Sequence, residues 1–279
     1  MVAHLSRTQR RGTLPGRLKH RIPEPIRQRA RRWRNLHAAR GATAQEVWAG
    51  GADAEIAILS EWLRTQGGRW PDDYRFRLDP ESVLQEDITR HLNGAGRRVR
   101  ILDAGAGPLT FVGKRWPGHD LELTAVDALA DRYDALLAEY GITPPVRTRR
   151  CDSERLSDVF PPDSFDMACA AHTIDHSYEP LRAIRQMVAV VRPGGVALLQ
   201  HYPNEAENEV YSGQHQWNLD WVGDDCIVWR PGTEWSLRRE LAGQATVTGG
   251  KANDIVTTVI TKSGGQTAAA ERGSGAAAG

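Results

Sequence analysis

Between Asp53 and Gln66 the apolar residues Ile56, Leu59, Trp62 and Leu63 recur three and four positions apart, the spacing of one buried helix face, and Gly67-Gly68 stop the run. The aromatic-rich Trp70, Pro71, Tyr74 and Phe76 read as a loop, and Glu81 to Leu92 as a further helical stretch closed by Asn93-Gly94. Residues 1–95 are therefore expected to form a helical appendage. Beyond them, short apolar runs alternate with helical or loop sequence. Val99–Leu102, Leu121–Val126, Val146–Arg149 and Phe165–Ala170 read as strands. A helix from Pro180 to Val191 leads through Arg192-Pro193-Gly194-Gly195 into a strand Val196–Gln200, and Ile227–Trp229 and Ile255–Thr261 supply two more. Seven strands mostly joined by helices predict an α/β fold, a doubly wound and mostly parallel sheet, over residues 96–262. The Gly, Ala and Ser tail, 263–279, has almost nothing to bury and is expected to be disordered.

A chain of 279 residues, 40% hydrophobic and 25% charged, suits one such domain plus its appendage. No apolar run approaches the roughly 18 residues needed to cross a bilayer, and the N-terminus lacks the apolar segment of a secretory signal, so no membrane insertion and a cytoplasmic location are expected. Cys151, Cys169 and Cys226 are odd in number and far apart, and read as buried thiols rather than a disulfide or zinc set. The net charge of +1 hides an asymmetry: residues 1–40 hold twelve Arg or Lys against Glu24 alone, which leaves the rest near −10. A nucleic-acid or anionic-surface arm, a transit segment and solvated helix faces compete as explanations. Pro15, Pro23 and Pro25 break the segment and only Trp33 offers a ring for base stacking, which favours solvated faces and argues against a nucleic-acid partner.

Ligands of open parallel sheets bind outside the carboxyl ends of the strands. After the first strand stands Asp103-Ala104-Gly105-Ala106-Gly107-Pro108, whose glycines allow close backbone approach and which is expected to open a helix with free N–H groups. Nineteen residues after Pro108, the second strand ends at Asp127, placed to accept two ribose hydroxyls, so a nucleoside ligand is indicated. A nicotinamide dinucleotide would want a third glycine where Thr110 stands. Asp103 would repel a pyrophosphate but attract an ammonium and a sulfonium, which points to S-adenosylmethionine. Asp152 and Ser153, after the third strand, are candidates for the adenine, with a helix N-cap as the competing reading.

Leu102-Asp103-Ala104-Gly105-Ala106-Gly107, Val126-Asp127, Phe165-Asp166-Met167-Ala168 and Val191-Arg192-Pro193-Gly194-Gly195 together resemble the motifs of class I S-adenosylmethionine-dependent methyltransferases, with a Rossmann-like fold, over about Arg98 to Gln200. Gly67-Gly68-Arg69-Trp70-Pro71-Asp72-Asp73-Tyr74, Asp175-His176, Asn204-Glu205-Ala206-Glu207 and His215-Gln216-Trp217-Asn218 look like a bacterial subgroup associated with glycosyltransferase or natural-product genes. The resemblance implies that His172 contacts the cofactor and that Asp175 or His176 faces a small-molecule or saccharide-type acceptor. Pro108-Leu109 departs from the family where many members carry another glycine.

After the fifth strand come His201, Asn204, Glu205, Glu207, Tyr211, His215, Trp217 and Asn218, the densest polar and aromatic cluster in the chain. Asn204, Glu205, Glu207, Tyr211 and Trp217 are candidate acceptor contacts, with solvated loop charge as the competing reading for the glutamates. In-line methyl displacement needs a base only when the nucleophile carries a proton, and His176, His201 and His215 are the candidates. A metal held by His and Glu at these positions is compatible with the pattern, but without a tight ligand spacing among them none is assigned. A cyclase that consumes the sulfonium and releases methylthioadenosine, and a noncatalytic cofactor-binding protein with a basic arm, are the other functions compatible with this pattern.

Overall fold

The computed structural model describes residues 24–38, 41–92 and 94–264. Asn93, much of the basic head (1–23 and 39–40) and most of the tail (265–279) lie outside them. Among the described residues no helix is long and apolar enough to cross a membrane.

Four helices precede the sheet: α1 (Glu24–Ala38), α2 (Ala44–Arg64), α3 (Pro71–Leu78) and α4 (Glu86–Thr89). Thr43 starts α2 with a capping box, its hydroxyl accepting from Glu46 N–H while the Glu46 carboxylate accepts from Thr43 N–H at 2.7 Å. The segment after Gly68 is helical rather than the loop expected. Pro71 fits the first turn, Asp72 and Asp73 follow it at the positive helix end, and Asp73 is paired four residues on with Arg77 at 2.9 Å. The helix expected over Glu81–Leu92 shrinks to the single turn of α4, because Ser82 and Leu84 are hydrogen-bonded along residues 114–115 instead.

The sheet comprises β1 (Arg98–Ala104), β2 (Asp120–Asp127), β3 (Arg149–Arg150), β4 (Phe165–Ala171), β5 (Val191–His201), β9 (Ala245–Ala252) and β10 (Ile255–Lys262), in the order β3-β2-β1-β4-β5-β10-β9. The strands from β3 to β5 are parallel, and β10 is antiparallel to both neighbours. Asn253 and Asp254, both at positive φ, make the two-residue turn that joins β9 to β10. A second, three-stranded antiparallel sheet holds β6 (Asn218–Val222), β7 (Asp225–Arg230) and β8 (Thr233–Ser236). Ile227–Trp229 belongs to that sheet, and the seventh strand of the main sheet is β9, whose Gly249-Gly250 and Lys251 hide the strand pattern. The remaining helices are α5 (Ala130–Glu139), α6 (Pro180–Val190), α7 (Glu205–Asn208) and α8 (Leu237–Glu240).

Alternation along β4 and β5 builds two cores. Ala168, Ala170, Ala197 and Leu199 face α6, where Ile184 and Met187 are fully buried. Met167, Cys169, Val196 and Leu198 face the other way, onto Leu84, Ile88 and Leu92. That second face is covered by the N-terminal segment because no helix joins β1 to β2. Residues 105–119 run as irregular chain pressed on residues 82–85, so tightly that a Cβ on Gly113 would lie 2.4 Å from the Val83 carbonyl. The expected helix N-terminus after the glycine loop is therefore absent. All three cysteines are free and buried.

Candidate functional site

The carboxyl ends of β1, β2, β4 and β5 open into a cleft of about 490 Å³, with α2 and the segment leading into α3 as the opposite wall. The glycine loop is its floor. Gly105 and Ala106 N–H groups both donate to the Val126 carbonyl, at 2.8 and 3.0 Å, so the loop is fastened to the end of β2. Gly105 has φ +84, and a Cβ there would meet the Thr173 side chain at 2.6 Å. Gly107, at φ +63, would place a Cβ where no protein atom lies within 4 Å, so bare backbone is presented to the cleft.

Asp127 stands at the cleft wall. Its Oδ2 accepts from Gly107 N–H at 3.1 Å and its Oδ1 accepts from Leu129 N–H at 2.8 Å. Burial raises its carboxyl to about 6, against those hydrogen bonds. Each carboxylate oxygen retains acceptor capacity for a ribose hydroxyl. Ser153 and Glu154 continue the wall, and Glu154 is pushed to about 7 by burial. Asp152 lies behind them and accepts the Tyr178 hydroxyl at 3.2 Å. Asp103 is enclosed beneath the loop, takes the Thr110 hydroxyl at 2.5 Å, and is raised to about 6 by burial. Bare backbone at Gly107 beside a fixed Asp127 fits an adenosine-type group, without the helix dipole of the usual loop.

At the other end, His172 lies on the wall in the left-handed region, φ 55, an unusual conformation for a residue with a Cβ. Its N–H donates to Gln200 O at 2.9 Å, its ring leans on Tyr202 at 4.5 Å, and burial depresses its pKa to about 3, so it is neutral.

His176 is also on the wall. It belongs to a group that joins the loop after β4 to the loop before β6. His215 Nδ1 lies 2.8 Å from Asp175 Oδ2 and 3.0 Å from His176 Nε2, and His176 Nε2 is 3.4 Å from the same Asp175 oxygen. The Asp175 carbonyl accepts the N–H groups of Gln216 and Trp217, at 3.1 and 3.2 Å, which ties the second loop to the first. Burial works against charge on both Asp175 and His215. For Asp175 the neighbouring His176 and His215 prevail and hold the carboxyl well below the usual range, while for His215 the hydrogen bond and charge of Asp175 hold the ring up at about 9. His201 is sealed behind Asp175, its Nδ1 3.8 Å from Oδ1, and burial lowers it to about 4.

Of the five acceptor contacts expected after β5, none is on the cleft wall. Asn204 binds Asp220 and Trp229, Glu207 pairs with Arg32 and accepts the Tyr211 hydroxyl, and Tyr211 also holds Asn218. Trp217 is stacked on Trp235 at 4.9 Å within the core under the second sheet. Glu205 heads α7, away from the wall. These side chains bind one another because the second sheet folds back over the loop. The wall instead uses Gln200, Gln214, Trp48, Glu55 and Tyr178. Gln200 was discoverable as the residue at the end of the fifth strand. Trp48 and Gln214 come from segments whose approach no local pattern reveals.

The model of the methyltransferase domain matches residues 102–199. A phosphatidylethanolamine N-methyltransferase of Cereibacter sphaeroides is 29% identical over 163 residues, 56% of this chain and 77% of the relative. The ubiquinone/menaquinone biosynthesis C-methyltransferase of Azotobacter vinelandii is 30% identical over 128 residues, 43% of this chain and 48% of that protein. The solved structure of a putative S-adenosyl-L-methionine-dependent methyltransferase from Methanococcus maripaludis superimposes with a TM-score of 0.48 at 9% identity, over 76% of this chain and 95% of its own. The domain match covers the glycine loop, Asp127 and most of the strands that carry the cleft, and this chain is an S-adenosylmethionine-dependent methyltransferase with a Rossmann-like methyltransferase fold.

Proposed function

We propose that the methyl group goes to a small-molecule or saccharide-type acceptor that enters beside Trp48, Gln214 and His176. The observation that carries this reading is the cleft itself: about 490 Å³, within the range of small-ligand pockets, with helices α2 and α3 closing one side. Asp127 and Ser153 hold the nucleoside end, His172 and Thr173 the methionine end, and the Asp175–His176–His215 group stands on the acceptor side.

The cofactor supplies a methyl carbon already activated by its sulfonium, so the protein's task is alignment and exclusion of water. Trp62 and Trp70 line the cleft, and Tyr74 buttresses Trp62 edge-on at 5.3 Å, which makes the first helices a lid. The two curated relatives act, by their names, on nitrogen and on carbon acceptors, so the accepting atom is not carried over from them.

The test is incubation of the full chain with methyl-labelled cofactor and panels of sugars, nucleosides, phenols and amines, read by mass. A labelled product together with S-adenosylhomocysteine supports the reading. Transfer confined to polypeptide or nucleic-acid substrates overturns it. Methylthioadenosine without a labelled product would mean cyclisation instead.

A further inference from the structure

We infer that Asp175, His176 and His215 form a binding site for a divalent transition-metal ion, zinc foremost, at the acceptor side of the cleft. No metal was read from the sequence. His172 and His176 do stand at H-x-x-x-H spacing, but His172 turns to Tyr202, and the ligand that completes the set lies 39 residues beyond His176. Among the described residues this is the group of histidine, cysteine and carboxylate side chains that converges.

The geometry is that of a coordination face. The three donor atoms, Asp175 Oδ2, His176 Nε2 and His215 Nδ1, are separated by 2.8, 3.0 and 3.4 Å. Ligands of a tetrahedral zinc ion, each 2.0–2.1 Å from it, lie about 3.3 Å apart. An ion at that distance from all three atoms would stand about 1 Å off their plane, leaving a fourth position for another ligand. Two imidazoles and one carboxylate suit zinc or iron rather than magnesium or calcium, which favour oxygen.

In the metal-free protein a hydrogen on His215 Nδ1 can serve Asp175 Oδ2 and His176 Nε2 together, and a cation that displaces it would satisfy all three donor atoms at once. The scaffold is also set: the Asp175 carbonyl clasps Gln216 and Trp217, which fixes His215 against the 174–176 turn. Behind the carboxylate, His201 is fully buried with neither ring nitrogen partnered among the described residues, and its Nδ1 lies 3.8 Å from the oxygen that the ion would not use. That is where metal-bound carboxylates carry an orienting donor.

The inference goes beyond the proposed acceptor class and does not depend on it, since metal uptake is measured without any acceptor. The full chain is stripped with chelator, dialysed, and titrated with zinc by calorimetry and with cobalt by visible spectroscopy. One equivalent of zinc and a cobalt spectrum of tetrahedral or five-coordinate type are expected. His215→Ala and His176→Ala, checked for folding by thermal melts and by retained cofactor affinity, should lose that uptake. His201→Gln should weaken it by about 10- to 100-fold. Absence of stoichiometric uptake by the wild-type chain, or uptake unchanged in the folded His176→Ala/His215→Ala double variant, would overturn the assignment.

Discussion

Asp127 fastens the glycine loop and is proposed to hold the ribose with the same carboxylate, so its ionisation bears on both. Burial raises it to about 6, and Asp103 beneath it lies in the same range. The ionised carboxylate is the form that accepts ribose hydroxyls, so cofactor affinity should be full above pH 7 and fall as the pH drops through about 6. Calorimetry between pH 5 and 8 checks this, and an affinity flat over that window would contradict it. At pH 8, Asp127→Ala should weaken binding by about 1–3 kcal/mol. Glu154 makes the matching statement about stability. Its folded value near 7 lies above the ordinary 4.5, so burial costs nothing below pH 4.5, where both states are protonated, and costs most above 7, where both are charged. Glu154→Gln can keep the acceptor for Glu179 N–H, at 3.3 Å, while removing the charge. Its stability relative to the parent should grow from pH 5 to pH 8, reaching about 2–3 kcal/mol, as read from denaturant melts at the two pH values.

At the scale of elements, α2 shows why two adjacent glycines in a helix are not equivalent. A Cβ on Gly50 meets nothing within 4 Å, whereas one on Gly51 would lie 2.7 Å from the backbone of Gly213 and Gln214. Gly50→Ala should therefore stabilise the protein by up to about 1 kcal/mol through helix propensity. Gly51→Ala should destabilise it, because α2 would have to leave the loop that carries Gln214 and His215; thermal melts of the pair should move in opposite directions. The period of Ile56, Leu59, Trp62 and Leu63 made this helix legible in sequence, as the short apolar runs within 165–170 and 196–200 did for β4 and β5. What stayed hidden has physical causes. β9 carries glycines and lysine at an edge; β7 pairs with β6 and β8, a choice made by tertiary contact; and α3 has no apolar stripe for a periodicity to reveal, Tyr74 being its buried residue.

Across the whole molecule, the part of the cleft proposed for the cofactor follows chain order: the loops after successive strands place Gly107, Asp127, Ser153 and His172 on the wall in turn. The acceptor half is assembled from α2, the turn after β4 and the loop before β6, and sequence distance conceals such a meeting. The described residues of the basic head, 24–38, line neither half. This segment, α1, touches the body through Arg32 to Glu207, the Arg32 guanidinium over the Tyr211 ring at 5.5 Å, and Asn35 to the Val210 carbonyl at 2.9 Å, all away from the cleft wall. The Arg32–Glu207 pair is about one-third exposed on each side, a setting in which ion pairs contribute little. Glu207 keeps the Tyr211 hydroxyl when Arg32 is gone, at 3.1 Å, and Tyr211 keeps Asn218. Deleting residues 1–40 should therefore leave cofactor affinity within about twofold and lower the melting temperature only slightly, as expected for the loss of exposed contacts. Calorimetry on the truncated chain decides it: a collapse of cofactor binding in a protein that still melts cooperatively would place the head in the site after all.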